Sequence, residues 1–199
     1  MRFEVAGHIF QIRGTEFYDS VRSRIQIPYG PFALKEDEKC DKQPLFYLQL
    51  QEDHVSWGNH DLVFSNVENP HTGFITISVY KSIQEYHFEF THPGSKVING
   101  KLSFNREFSL ANLALYGSDE AKWQTFNTAV NFCYLLASSA YRTVLVHASC
   151  VMYNGKAYLF LGKSGTGKST HSRMWLSALQ GVILMNDDHP VIRVNDAGH

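Results

Sequence analysis

The segment GKSGTGKST, Gly162 to Thr170, is the stretch of this chain best suited to chemistry. It fits G-x-x-x-x-G-K-[ST], a glycine-rich turn that wraps a phosphate. Gly162, Gly165 and Gly167 admit backbone angles that a Cβ disfavours, so successive N–H groups can turn inward toward a polyphosphate. Ser164 and Thr166 belong to the same cradle. Lys168 adds a mobile positive charge near the terminal phosphates. Ser169 offers a hydroxyl to Mg²⁺, and Thr170 can reach the same end of a nucleotide. The apolar AYLFL precedes the loop and the helical STHSRMWLSAL follows it, so the helix N-terminus adds its field. His171 and Arg173 lie just beyond and read as solvated helix positions.

The segment GVILMNDDHP supplies the second half of such a site. Its four apolar residues predict a buried strand that ends in Asp187 and Asp188. Acids at a strand end beside a phosphate loop suit Mg²⁺. Successive strand side chains point opposite ways, so the two acids take different roles. One holds Mg²⁺, directly or through water; the other orients or deprotonates a hydroxyl nucleophile. His189 is a weaker candidate.

A histidine joins them through a hairpin. RTVLVHASCVMY reads as a strand, Asn154-Gly155 as a type I′ turn and KAYLFLG as the return strand. A two-residue turn pairs Tyr153 with Lys156 and sets His147 opposite Gly162. Cross-strand neighbours sit about 5 Å apart, so His147 is aimed at the loop. A slip of one residue would turn its side chain away. His147, Lys168 and Asp188 form the expected catalytic set.

HASCVMYNGKAYLFLGKSGTGKST, followed by MNDDHP, resembles the nucleotide-binding core of the HPr kinase/phosphorylases and the phosphoenolpyruvate carboxykinases. In both, a histidine precedes the first loop glycine at the spacing of His147 and Gly162. The carboxykinase His-Cys-Ser-Ala run is similar to HASC, and its Gly-Asp-Asp is similar to Asn186-Asp187-Asp188. The likeness covers residues 143–192. It implies a mixed-sheet kinase core in which Lys168 binds the β- and γ-phosphates and Ser169 and Asp187 bind the metal. His147 would lie near the transferred phosphoryl, and an acid at position 187 or 188 would act as base toward a serine. The HPr kinases carry Glu where this chain has Thr170; the carboxykinases carry Thr there.

The elements around the loop predict an α/β (α+β) chain, with a β-rich N-terminal domain over 1–115 and the mixed-sheet phosphate-loop core over 116–199. FEVAGHIFQIRG, LFYLQLQED, HDLVFSNV, TGFITISVY and QEYHFEF are short strand-like segments split by Gly, Pro, Asn and His, which suggests an antiparallel meander. Asn99-Gly100 is a hairpin-turn signal. From Asp119 to about Ala140 the apolar spacing is helical. LKEDEKCDKQP (34–44) reads as an exposed loop. His54 and His60 flank Trp57 without a third ligand, so a loop or turn is expected there. Glu85, His87 and Glu89 read as a solvated strand face. VIRV and NDAG read as the start of a hairpin lacking its return strand, so the core is expected to be incomplete at its C-terminus.

Composition excludes several classes. Among 199 residues, 18 Lys and Arg oppose 19 Asp and Glu for a net charge of −1, so no basic stripe points to nucleic acid. No long apolar run suggests a membrane span or a signal peptide. Cys40, Cys133 and Cys150 are odd in number and widely spaced, which fits a reducing, cytoplasmic setting. The expectation is a Mg²⁺-dependent phosphotransferase that uses ATP or GTP. Its acceptor would be a hydroxyl of a small molecule or of a protein serine, and a homodimer is possible. The alternatives are a non-catalytic nucleotide-binding or sensing module and a carboxykinase-like enzyme.

Overall fold

The computed structural model describes residues 1–35, 42–52, 60–66, 75–92 and 96–194. Cys40, most of the 34–44 loop, His54, Trp57 and the NDAG turn lie outside the described residues. The architecture is mixed α+β, and the chain divides into two units, Met1–Ser138 and Ser139–His199.

In the first unit, FEVAGHIFQIRG folds back on itself. Ala6 and Gly7 both have positive φ, 50° and 76°, and join β1 (Arg2–Val5) to β2 (His8–Arg13). Two short helices follow, α1 (Asp19–Arg22) and α2 (Gln26–Tyr29). Then come β3 (Phe46–Gln51), β4 (Asp61–Ser65), β5 (Thr76–Lys81), β6 (Glu85–Thr91), β7 (Ile98–Asn105), β8 (Leu110–Leu115) and α3 (Asp119–Ser138). One sheet holds all eight strands in the order β1-β2-β3-β8-β7-β6-β5-β4. Strands β4 to β8 form the expected antiparallel meander. The rest differs from it: β3 inserts between β2 and β8 and runs parallel to both. A parallel neighbour needs a long crossover, and the segment carrying α1 and α2 provides it.

Asn99-Gly100 is not a turn. Both residues lie inside β7, which pairs on either side with β6 and β8. A Cβ on Gly100 would sit 2.6 Å from Thr125 Cγ2 and 3.1 Å from the Ala114 carbonyl oxygen. The glycine therefore lets α3 approach the sheet, a use that leaves the same local signature as a turn.

Helix α3 buries Phe126, Ala129, Val130, Cys133 and Ala137 over Phe46, Leu48, Phe90, Leu102 and Phe104. Each large side chain so buried contributes about 1.5–3 kcal/mol. Because α3 packs on β3, β7 and β8, it belongs to the N-terminal sheet. The division between units falls after Ser138, not at 115/116, where the sequence switches from strand to helix pattern within one core. Tyr18 ties the sheet internally: its hydroxyl donates to the Gln51 carbonyl at 2.5 Å and accepts from Leu115 N at 3.0 Å.

The face carrying Glu85, His87 and Glu89 is less solvated than its polarity suggests. His87 is buried under the parallel ring of His60, with centroids 4.5 Å apart. Glu89 accepts from Tyr80 and pairs with Lys101 at 3.3 Å. Cross-strand partners cover these groups in place of water. Among the described residues, no helix is long and apolar enough to cross a membrane.

The second unit contains β9 (Thr143–Leu145), β10 (Ala148–Tyr153), β11 (Lys156–Leu161), α4 (Lys168–Ala178), β12 (Ile183–Asn186) and β13 (Val191–Arg193). It has two small sheets, β11-β10-β12 and β13-β9. RTVLVHASCVMY is thus two strands, broken at Val146 and His147, and each half joins a different sheet. Strand β13 pairs with β9, from Val191↔Leu145 to Arg193↔Thr143. Strand β12 is not buried: Ile183, Leu184 and Met185 are exposed, since an edge strand has one neighbour to cover it.

Candidate functional site

The hairpin of β10 and β11 turns at Asn154 and Gly155, both at positive φ (51° and 72°), as a type I′ turn requires. Its register runs from Tyr153↔Lys156 to Ala148↔Leu161. His147 lies just before this ladder, and Lys168 links it to the expected neighbour, because Nζ meets both His147 Nε2 and the Gly162 carbonyl.

Two chain segments then cross side by side. The pairings Leu145↔Val191 and Cys150↔Asn186 share one antiparallel frame. Val146 N donates to Pro190 O at 3.2 Å and Ala148 N to Asp188 O at 3.0 Å, which carries that frame through the break. It places His147 opposite His189 and Ser149 opposite Asp187. Asn186 shapes the bend: its Oδ1 accepts from Asp188 N at 2.9 Å and from His189 N at 2.8 Å. Asp187 and Asp188 take different partners around this bend, Ser149 for the first and His147 and His189 for the second.

The glycine-rich turn presents Lys168 to this crossing. Gly165 and Gly167 have φ of 81° and 90°, which a side chain would strain. Thr166 Oγ1 folds onto the Lys163 carbonyl at 2.8 Å, and a Cβ on Gly162 would meet that hydroxyl at 2.7 Å. Gly167 precedes α4 as its N-cap and, having no side chain, leaves the first-turn amides without a side-chain cap. Lys168 Nζ donates to Gly162 O at 2.9 Å and to Lys163 O at 3.2 Å, and it lies 2.9 Å from His147 Nε2. Ser164 and Thr170 are exposed on either side of it.

His147 joins the lysine to an acid. An ammonium has no lone pair, so Nε2 must accept from it and the ring proton resides on Nδ1. That nitrogen faces Asp188 Oδ1 at 3.2 Å. The other Asp188 oxygen lies 2.9 Å from His189 Nδ1. His147, Asp188 and His189 each offer a ligand atom, all within 4.8 Å of one another, so His189 takes part more fully than its sequence position suggests.

Asp187 has a separate setting. It accepts from Ser149 Oγ at 2.6 Å. Its carboxyl is held below the ordinary range, chiefly by the Ser149 hydrogen bond. Desolvation opposes this, while the Ser169 hydroxyl and the Arg173 and Lys168 charges assist it. Arg173 Nε donates to Ser169 O at 3.2 Å. His171 instead packs edge-on against Phe160 and near Trp175. Sequence reasoning did not find Ser149, Ser172 or the turn role of Asn186. The recurrence of hydroxyls at Ser169 and Ser172, one helical turn apart, is the signal that could have shown the serines.

The expected residues therefore fall into three neighbouring groups. Lys168 and the open start of α4 suit an anion. Ser169 and Asp187 offer oxygen donors to a hard cation, and that donor set fits Mg²⁺. His147 and Asp188 form an oriented imidazole–carboxylate pair. Comparison of the chain with protein-family models, with curated proteins and with solved structures gives no match.

Proposed function

We propose that this chain carries the phosphate-handling core of a Mg²⁺-dependent phosphotransferase. It would move a phosphoryl group from ATP to a hydroxyl of a small molecule or of a protein serine. The core would be of the mixed-sheet kind found in the HPr kinase/phosphorylases and phosphoenolpyruvate carboxykinases. The observation that carries the reading is His147 held between Lys168 Nζ and Asp188 Oδ1. A simple anion site has no need of a histidine oriented by an acid.

In this reading the loop amides and Lys168 bind the phosphates and neutralise their charge. Ser169 and Asp187 would hold Mg²⁺, which supplies electrostatic stabilisation of the transferring group when bound. Lys168 turns from His147 toward the phosphates, and Nε2 becomes free to accept a proton. The acceptor hydroxyl oxygen then bonds to the γ-phosphorus, its proton passes to His147 Nε2, and the bond to the ADP oxygen breaks with its electron pair. Asp188 keeps the Nδ1–H tautomer and steadies the imidazolium that forms.

The test is incubation of the protein with γ-labelled ATP and Mg²⁺, alone and with serine, sugars or a seryl peptide. Label transferred to an acceptor or to water by the wild type, and lost in His147→Gln, supports the reading. Tight Mg²⁺-dependent ATP binding with no transfer to any of them would mark a binding module.

A further inference from the structure

Two serines lie where no solvent reaches. Ser149 on β10 is 0% exposed and Ser172 on α4 is 1% exposed. A buried hydroxyl without a partner costs about 1–3 kcal/mol, and alanine would serve packing between a strand and a helix. Their hydrogen bonds explain them. Ser149 Oγ lies 2.5 Å from Ser172 Oγ and 2.6 Å from Asp187 Oδ1.

Each hydroxyl has one proton to give, and an ionised carboxylate can only accept. Ser149 must therefore donate to Asp187, and Ser172 must donate to Ser149. Donation runs one way, from helix to strand to acid. The same helix carries Ser169, whose hydroxyl helps to hold the Asp187 carboxyl below its ordinary range. Helix α4, which begins at Lys168, thus reaches Asp187 through Ser172 and Ser149. Asp187 itself sits on an exposed bend beyond the end of β12. A carboxylate there has little else to fix its plane.

We infer that Ser149 and Ser172 are positioning residues, a buried hydroxyl relay that holds Asp187 in the orientation a cation requires relative to Ser169. The inference rests on the reading of Asp187 as a cation ligand. Partners that orient a ligand in this manner, when removed, lower metal affinity by about 10- to 100-fold.

The experiment measures the Mg²⁺ concentration needed for ATP binding, by calorimetry on the full chain. The variants are Ser149→Ala, Ser172→Ala, Ser172→Thr, Asp187→Ala, Asp187→Asn and the pair Ser149→Ala with Asp187→Asn; circular dichroism and thermal melts check folding. The relay predicts that Ser149→Ala raises the Mg²⁺ requirement by about 10- to 100-fold. Ser172→Ala raises it less, and Ser172→Thr, which keeps the hydroxyl, restores it. In the Asp187→Asn background Ser149→Ala adds nothing, a result that loose packing alone would not give. A folded Ser149→Ala protein with an unchanged requirement overturns the inference, provided that Asp187→Ala raises it. Should Ser149→Ala fail to fold, an unchanged requirement in Ser172→Ala overturns it equally. An Mg²⁺ requirement indifferent to Asp187→Ala, or no ATP binding at all, removes the reading of Asp187 and the relay with it.

Discussion

His147 Nε2 and Lys168 Nζ lie 2.9 Å apart, and the opposite ring nitrogen of His147 faces Asp188 at 3.2 Å. One imidazole thus spans a cation from the glycine-rich turn and an anion from the bend after β12. His147 lies between β9 and β10, where RTVLVHASCVMY passes from one sheet to the other. There the ring meets Lys168 on one side and Asp188 on the other.

If His147 serves as the base, replacing it should slow transfer without weakening nucleotide binding. We expect His147→Gln to reduce turnover by about 100-fold or more, the usual contribution of a general base. Its ATP affinity should stay close to wild type, because Lys168, Ser169 and the loop amides are intact. Parallel steady-state kinetics and calorimetry check this. An equal loss in both would make His147 a binding residue.

Acid should weaken the first unit. Burial first, then the neighbouring His60, push the His87 imidazole below its ordinary range. The unfolded chain takes up the proton first as pH falls. The stability His87 allows is therefore complete above about pH 6.5, the unperturbed histidine value, and is lost as pH falls toward the lower folded value. Urea unfolding followed between pH 7.5 and 5 should show this decline. His87→Gln should flatten it.

Gly100→Ala should destabilise the first unit by about 1–3 kcal/mol, the usual cost of overpacking. The added methyl would lie 2.6 Å from Thr125 Cγ2. Thr125→Ser removes that methyl and should recover part of the loss. Denaturant unfolding of the two single variants and the double variant measures the recovery.

Much of the candidate site was legible in the sequence because the signals were local. Glycines at 162, 165 and 167, a lysine and serine at a helix start, and a two-residue Asn-Gly turn each impose their own geometry. The hairpin register carried that geometry to His147. What was hidden depends on residues distant in sequence. Gly100 has the signature of a turn, yet its reason is Thr125 on a helix that packs from outside the strand. Ser149 and Ser172 are unremarkable serines until β10 and α4 meet. The insertion of β3 between β2 and β8 follows from a crossover that strand patterning does not encode. Likewise, the change of pattern near residue 115 marks a helix joining the sheet above it, which local periodicity cannot distinguish from a new core.

The most direct test of the central claim is a calorimetric titration of ATP into the wild type and Lys168→Ala, each with and without Mg²⁺. The account predicts binding that requires Mg²⁺ and weakens by about 10- to 100-fold or more in the variant, since a charged hydrogen bond to phosphate is lost. Binding of equal strength in the two proteins, or folded wild type that takes up no ATP with Mg²⁺ present, would contradict it.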